Sequence, residues 1–214
     1  MAIIKDGYMK GAKGGLGDFV VYQLGGQTVV RRKGERKKGM FSAGQRAQQV
    51  RMSAVSFLWR AMRAVEMDKS WCGMMRGRRM TGYNEFVRVN VSVFTEEGMI
   101  GDFGKLRLTN GRLLLPPELE VHLNEEGMWE MRWDCGVYYP GMSEDDRIKV
   151  VLMKREDVFT VKILDIGDCR RRHGRVRIRL PPELAEFSHL FCYVCSETGE
   201  EFSVSRHFCL TPKL

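Results

Sequence analysis

From Leu106 onward the chain breaks into short runs of strand-forming residues separated by turn signals, and this pattern limits the fold more than any other feature. Runs at 105–109, 112–115, 119–124, 128–133, 147–154, 158–164, 174–180, 189–196 and 201–209 are punctuated by Asn110-Gly111, Asn124 to Gly127, Pro140-Gly141, His173-Gly174 and Thr198-Gly199. Evenly spaced short strands of this kind predict an antiparallel sandwich or barrel, and about 110 residues suits an immunoglobulin-like or fibronectin-like β-sandwich. Within it, Leu115-Pro116-Pro117-Glu118-Leu119 is echoed by Leu180-Pro181-Pro182-Glu183-Leu184. Proline has no amide to donate to a ladder, so both segments mark strand exits.

The preceding residues are different. Asp18 to Leu24 and Gln27 to Arg31 are β-prone and flank Gly25-Gly26, which supplies the positive φ of a tight hairpin turn. Residues 42–66 predict a helix. Ser42 and Gln45 fit a capping box, and Ala47, Val50, Ala54, Phe57, Leu58, Ala61 and Val65 fall on one apolar face. The opposite arc holds Gln45, Arg46, Gln49, Ser53, Ser56, Arg60 and Arg63 and reads as polar, basic and without acidic partners. It is either a solvent face or a docking strip for an acidic partner. Residues 69–80, with two glycines, read as a connection. For 82–94 the signals conflict. Val87, Val89, Val91 and Val93 alternate as in a strand, while Tyr83, Phe86, Val87, Asn90 and Phe94 fit a helical face.

Charge is unevenly spread. Of the net +8, residues 1–90 carry +12 and residues 91–214 carry −4. A basic N-terminal part attracts nucleic acid, acidic proteins or anionic membranes, or holds the acidic part of the same chain or of another copy. The candidate binding residues are the run Arg31, Arg32, Lys33, Arg36, Lys37 and Lys38, continued by Arg46, Arg60 and Arg63 on the helix. Arg76, Arg78 and Arg79 form a second cluster and Arg170, Arg171, Arg172 and Arg175 a third. None is interleaved in sequence with aromatics as a stacking platform requires, so nucleic-acid binding here would be non-specific and salt-sensitive.

Motifs for chemistry are sparse. The glycines of Gly11 to Gly17 precede a strand, whereas a phosphate loop follows one and opens a helix. Cys192-Tyr193-Val194-Cys195 lies in a β-prone run, where residues three apart face opposite ways, so the thiols do not converge even with His189, His207 and Cys209 nearby. Nucleophile-elbow, zinc-protease and kinase signatures are missing, and there are four histidines in all. The expectation is a non-enzyme without catalytic residues, metal, cofactor or small-molecule substrate. No run of eighteen apolar residues marks a membrane span, and the opening residues lack the apolar core of a secretory signal. A cytoplasmic location with six reduced cysteines follows as the expectation.

Several motifs together resemble a family of uncharacterised proteins, known as a domain of unknown function, common in gut Bacteroidetes and their mobile elements. They are Ile4-Lys5-Asp6-Gly7, Gly17-Asp18-Phe19-Val20-Val21-Tyr22, Gly26-Gln27-Thr28-Val29-Val30-Arg31, Ala47-Gln48-Gln49-Val50-Arg51 and Met80-Thr81-Gly82-Tyr83-Asn84. The resemblance covers about the first 95 residues. It implies a helix from about Gly82 to Phe94 and a C-terminal immunoglobulin-like sandwich, and it brings no activity or cofactor. The combined expectation is an α+β protein with a basic hairpin-and-two-helix module over 1–100 and an antiparallel sandwich over 101–214. Its function reads as that of a non-catalytic structural or protein-interaction protein, one component of a larger mobile-element or phage-like assembly. Self-association or a protein partner is the first expectation, and non-specific nucleic-acid binding through 31–46 the alternative.

Overall fold

A computed structural model describes residues 2–5, 7–34, 41–136, 139–154, 157, 159–184 and 186–210. Contacts divide the chain into two compact units, 1–42 with 77–79, and 43–76 with 80–214.

The smaller unit is an antiparallel sheet of β1 (Ala2–Ile4), β2 (Gly14–Leu16), β3 (Phe19–Leu24) and β4 (Gln27–Arg32), in the order β1-β4-β3-β2. The expected hairpin forms around Gly25 and Gly26, both with positive φ (56° and 78°). Part of the glycine-rich segment pairs as β2, with Gly14 opposite Val21 and Leu16 opposite Phe19. The residues leading into it are tied to the sheet: Gly11 N donates to Thr28 Oγ1 (2.8 Å), and Gln23 Nε2 donates to the same hydroxyl (2.7 Å). Among the described residues of this unit, Val21, Thr28 and Val29 are the buried ones.

The larger unit is mixed α+β. It holds α1 (Ala43–Ala64), α2 (Lys69–Met74), α3 (Gly82–Asn90), and two antiparallel sheets. One sheet runs β11-β10-β7-β8, from β7 (Arg147–Lys154), β8 (Val161–Leu164), β10 (Phe187–Cys195) and β11 (Arg206–Cys209). The other runs β5-β6-β9, from β5 (Glu120–Leu123), β6 (Trp129–Arg132) and β9 (Arg175–Ile178).

The strands β7 and β10 lie at the centre of three layers. On one face, Val151, Met153, Phe191, Tyr193 and Cys195 share a core with Ala54, Val55, Leu58, Trp59 and Met62 of α1, Trp71 of α2 and Phe86 of α3. On the other, Ile148, Val150, Leu152, Leu190, Cys192 and Val194 share a second core with Met131 and Ile178 of the three-stranded sheet and with Trp133, which follows β6. A strand covered on both faces needs an unbroken apolar run, and Leu190-Phe191-Cys192-Tyr193-Val194-Cys195 supplies one. This packing places the helices with the sheets, so the contacts divide the chain near residue 42 and not near residue 100.

The helix that the resemblance implies from Gly82 forms over Gly82–Asn90, followed by a 3-10 turn at Val91–Val93, and tertiary packing of Phe86 overrides the valine alternation. Other local elements differ from the sequence expectation. The 69–80 segment contains α2. The buried stripe of α1 is rotated from the expected one: Val55, Trp59 and Met62 join Ala54 and Leu58 inside, while Val50 and Phe57 are exposed. Residues 105–109, expected as strand, form no ladder: Phe103–Lys105 is a 3-10 turn and 106–109 follow it irregularly. Side chains satisfy their backbone instead: Asn90 Oδ1 accepts from Arg107 N (2.9 Å), Ser205 Oγ accepts from Leu108 N (2.9 Å), and Trp71 Nε1 donates to Leu108 O (2.9 Å).

Candidate functional site

The cationic residues singled out by sequence fall into two sets on different units. Arg31 and Arg32 end β4 and Lys33 follows it. Arg46, Arg60 and Arg63 lie on α1, and Arg36, Lys37 and Lys38 lie outside the described residues.

In the small unit, strand alternation separates the neighbours. Arg32 pairs across the ladder with Phe19, which pairs with Leu16, so these three share one face. Arg31 shares the other face with Tyr22, Leu24 and Ile3, and its guanidinium sits 5.9 Å from the Tyr22 ring centroid. The sheet therefore does place arginines against aromatic rings, which the linear sequence conceals because Tyr22 and Arg31 are on different strands. Lys33 Nζ donates to Gly17 O (2.7 Å) and its backbone N to Asp18 O (2.6 Å). Ile3, Leu16, Phe19 and Leu24 are each about half exposed, and Tyr8 is fully so.

On α1 the polar arc is less free than its sequence suggests. Arg63 Nε lies 3.7 Å from Asp68, and Ser56 Oγ hydrogen-bonds with Tyr83 Oη (2.8 Å). Arg46 has no acidic partner among the described residues. Arg60 lies 5.3 Å from the ring centroid of Phe57, which contacts Phe159 at 5.6 Å. Met52, Ser53, Ser56, Phe57 and Arg60 line a shallow groove of about 310 Å³.

Counting charge by unit changes the sequence picture. The 45 residues of the small unit carry 11 Lys/Arg against 3 Asp/Glu, and the large unit carries 24 against 24. All of the net +8 thus belongs to the small unit. The +12/−4 division at residue 90 follows no boundary between the two units.

Three of the four arginines of the third cluster, Arg170, Arg171 and Arg172, are paired within the large unit. Arg170 Nη1 donates to Asp145 (2.9 Å) and Glu197 (3.2 Å), and its Nε to Asp168 (2.8 Å). Arg172 pairs with the same Asp145, and the buried Arg171 pairs with the buried Asp146 (3.2 Å). In the second cluster, Arg76, Arg78 and Arg79 are exposed and have no acidic partner among the described residues.

Among the described residues, several buried groups able to do acid-base or thiol chemistry are engaged structurally. The buried carboxylates Glu85, Glu130 and Asp146 each hold an arginine: Arg88, Arg132 and Arg171. The Arg132 hydrogen bond keeps Glu130 below the usual carboxylate range despite its burial. Cys192 faces the sheet–sheet core and Cys195 the helix–sheet core, and burial raises both thiols. Burial pushes Cys169 up to about 11. His189 Nδ1 and His207 Nε2 are 2.9 Å apart with Phe103 stacked on His189, centroids 3.5 Å apart. Among the described residues, no three His, Cys, Asp or Glu side chains are grouped to hold a metal ion. No helix is long and apolar enough to cross a membrane among the described residues.

Sequence reasoning missed one groove, of about 720 Å³, in the large unit. It is lined by Arg88, Val89, Ser92, Val93, Gly104, Lys105, Leu106, Arg107, Val204 and Ser205. Three separate segments meet there, so no linear signal marks it. No protein-family model, no curated protein and no solved structure matches this chain. The likeness of the first 95 residues to an uncharacterised family rests on its quoted motifs alone.

Proposed function

We propose that this chain is a non-catalytic docking protein, one component of a larger assembly, which attaches to an anionic macromolecule through its small N-terminal unit. The observation that carries this reading is the charge division: +8 on 45 residues, zero on the rest. A concentrated charge of one sign steers an oppositely charged partner and repels its own kind. Docking of two N-terminal units onto each other is disfavoured on the same ground. The larger unit, which we read as an immunoglobulin-like sandwich with an added helical layer, serves as an electrically neutral body. The small unit buries little of itself, and its half-exposed Ile3, Leu16, Phe19 and Leu24 give a partner apolar surface to cover.

A nucleic-acid partner is the second reading, favoured by the Arg31–Tyr22 contact and by Phe19 beside Arg32. The half-exposed Phe19 and the partly buried Tyr22, each beside an arginine, suit stacked bases between phosphates. Binding of the full chain to polyglutamate and to a single-stranded oligonucleotide, at low and high salt, tests both. The docking reading expects retention of at least one polymer at low salt, steep loss with salt, and weakening by Arg31→Glu with Arg32→Glu. No retention of either polymer at low salt overturns it. Under the nucleic-acid reading, Tyr22→Ala and Phe19→Ala weaken oligonucleotide binding and leave polyglutamate unchanged.

A further inference from the structure

The 720 Å³ groove falls in the size range of small-molecule sites. Its apolar lining is Val89, Val93, Leu106 and Val204, of which Val93 and Leu106 are buried. Its charged lining is Arg88, Lys105 and Arg107, one cation from α3 and two from the segment after Asp102.

The backbone beneath Arg107 is held with unusual completeness for a segment outside any ladder. Asn90, fully buried, accepts from Arg107 N (2.9 Å) and donates to Arg107 O (3.0 Å). The next residues are fixed by Ser205 Oγ, and Thr109 Oγ1 donates to Ser203 O (2.8 Å). Buried side chains thus set the position from which an exposed, charged one projects. Arg88 is also oriented in advance: Glu85 grips its Nε (2.7 Å) and Nη2 (2.6 Å) and leaves Nη1 unclaimed. Lys105 Nζ is 3.4 Å from Asp102. Arg107 has no acidic partner among the described residues. The groove therefore keeps one positive charge in excess, on an arginine with all its side-chain donors open.

We propose that this groove binds a small phosphate monoester, its phosphate held by Arg107 with Lys105 and Arg88, and its apolar part lying on Val89, Val93 and Leu106. Arginine presents a planar fork that matches two phosphate oxygens at once, while lysine adds a point charge. All of its lining residues belong to the larger unit.

Calorimetric titration of the full chain with phenyl phosphate and with inorganic phosphate tests the assignment. Saturable binding of phenyl phosphate at millimolar or lower concentration is expected, about tenfold tighter than inorganic phosphate because only the ester reaches the apolar lining. Arg107→Ala lowers the affinity about tenfold, Arg107→Lys restores part of it, and Arg31→Glu leaves it unchanged. Absence of saturable binding to phenyl phosphate overturns the proposal. So does equal affinity for the two anions, or loss of binding in Arg31→Glu with none in Arg107→Ala.

Discussion

Arg171 is 1% exposed, and its burial shapes the middle of the larger unit. Nη2 donates to Asp146 Oδ2 (3.2 Å) and to Leu114 O (2.7 Å), and its own backbone O accepts from Trp133 Nε1 (2.6 Å). Removing one member strands the other charge in a medium that solvates it poorly. Asp146→Ala is expected to cost about 3–5 kcal/mol in urea denaturation, and Arg171→Met with Asp146→Leu to recover more than half of it. The histidine pair gives a second residue-level expectation. Burial lowers the pKa of His207, with Asp102 pulling weakly the other way and His189 facing it at 2.9 Å. The unfolded chain therefore takes up this proton at higher pH than the native one. The associated stability is complete above the ordinary histidine range, near pH 6.5, and is lost as pH falls below it. Urea midpoints measured from about pH 7.5 to 5.5 should fall, with a shallower slope in His207→Gln.

Two helices meet at a glycine. A Cβ on Gly82, the first residue of α3, would lie 2.8 Å from Cys72 N and 2.9 Å from Trp71 C, both backbone atoms of α2. Backbone cannot step aside as a side chain can. Gly82→Ala is expected to cost more than Thr81→Ala, whose loss of the cap to Asn84 N is worth about 1 kcal/mol. Thermal midpoints of the two variants check the order. The element level is also where sequence legibility can be judged. The strand expected at 147–154 has the bounds of β7, and the Gly25-Gly26 hairpin forms as its turn chemistry dictates. At 82–94 the residues alone left helix and strand open; the helix implied by the resemblance forms, because β-branching is a weak preference, outvoted by a helix cap and the burial of Phe86. The stripe on α1 was misplaced because Phe57 was counted as core and Trp59 and Met62 were not. The echoed Leu-Pro-Pro-Glu-Leu segments share a purpose the sequence only hinted at: Leu119 and Leu184, their last residues, plug the same sheet–sheet core.

For the molecule as a whole, the division into units was legible only in part. The helices look basic and the strands acidic along the chain, so composition suggested a break between them. Packing joins them, because the central sheet has two apolar faces and a two-layer sandwich would leave one bare. The cationic candidates were legible as charges but not as a site, since β alternation and unit membership decide which of them act together. The Arg107 groove was not legible at all, being assembled from residues about a hundred positions apart. The location of the charge has a further effect. A copy whose N-terminal unit is neutralised by a polymer has no net charge left to hold off the next arrival, so crowding along that polymer would meet little electrostatic resistance, and occupancy would be limited by the width of the neutral body.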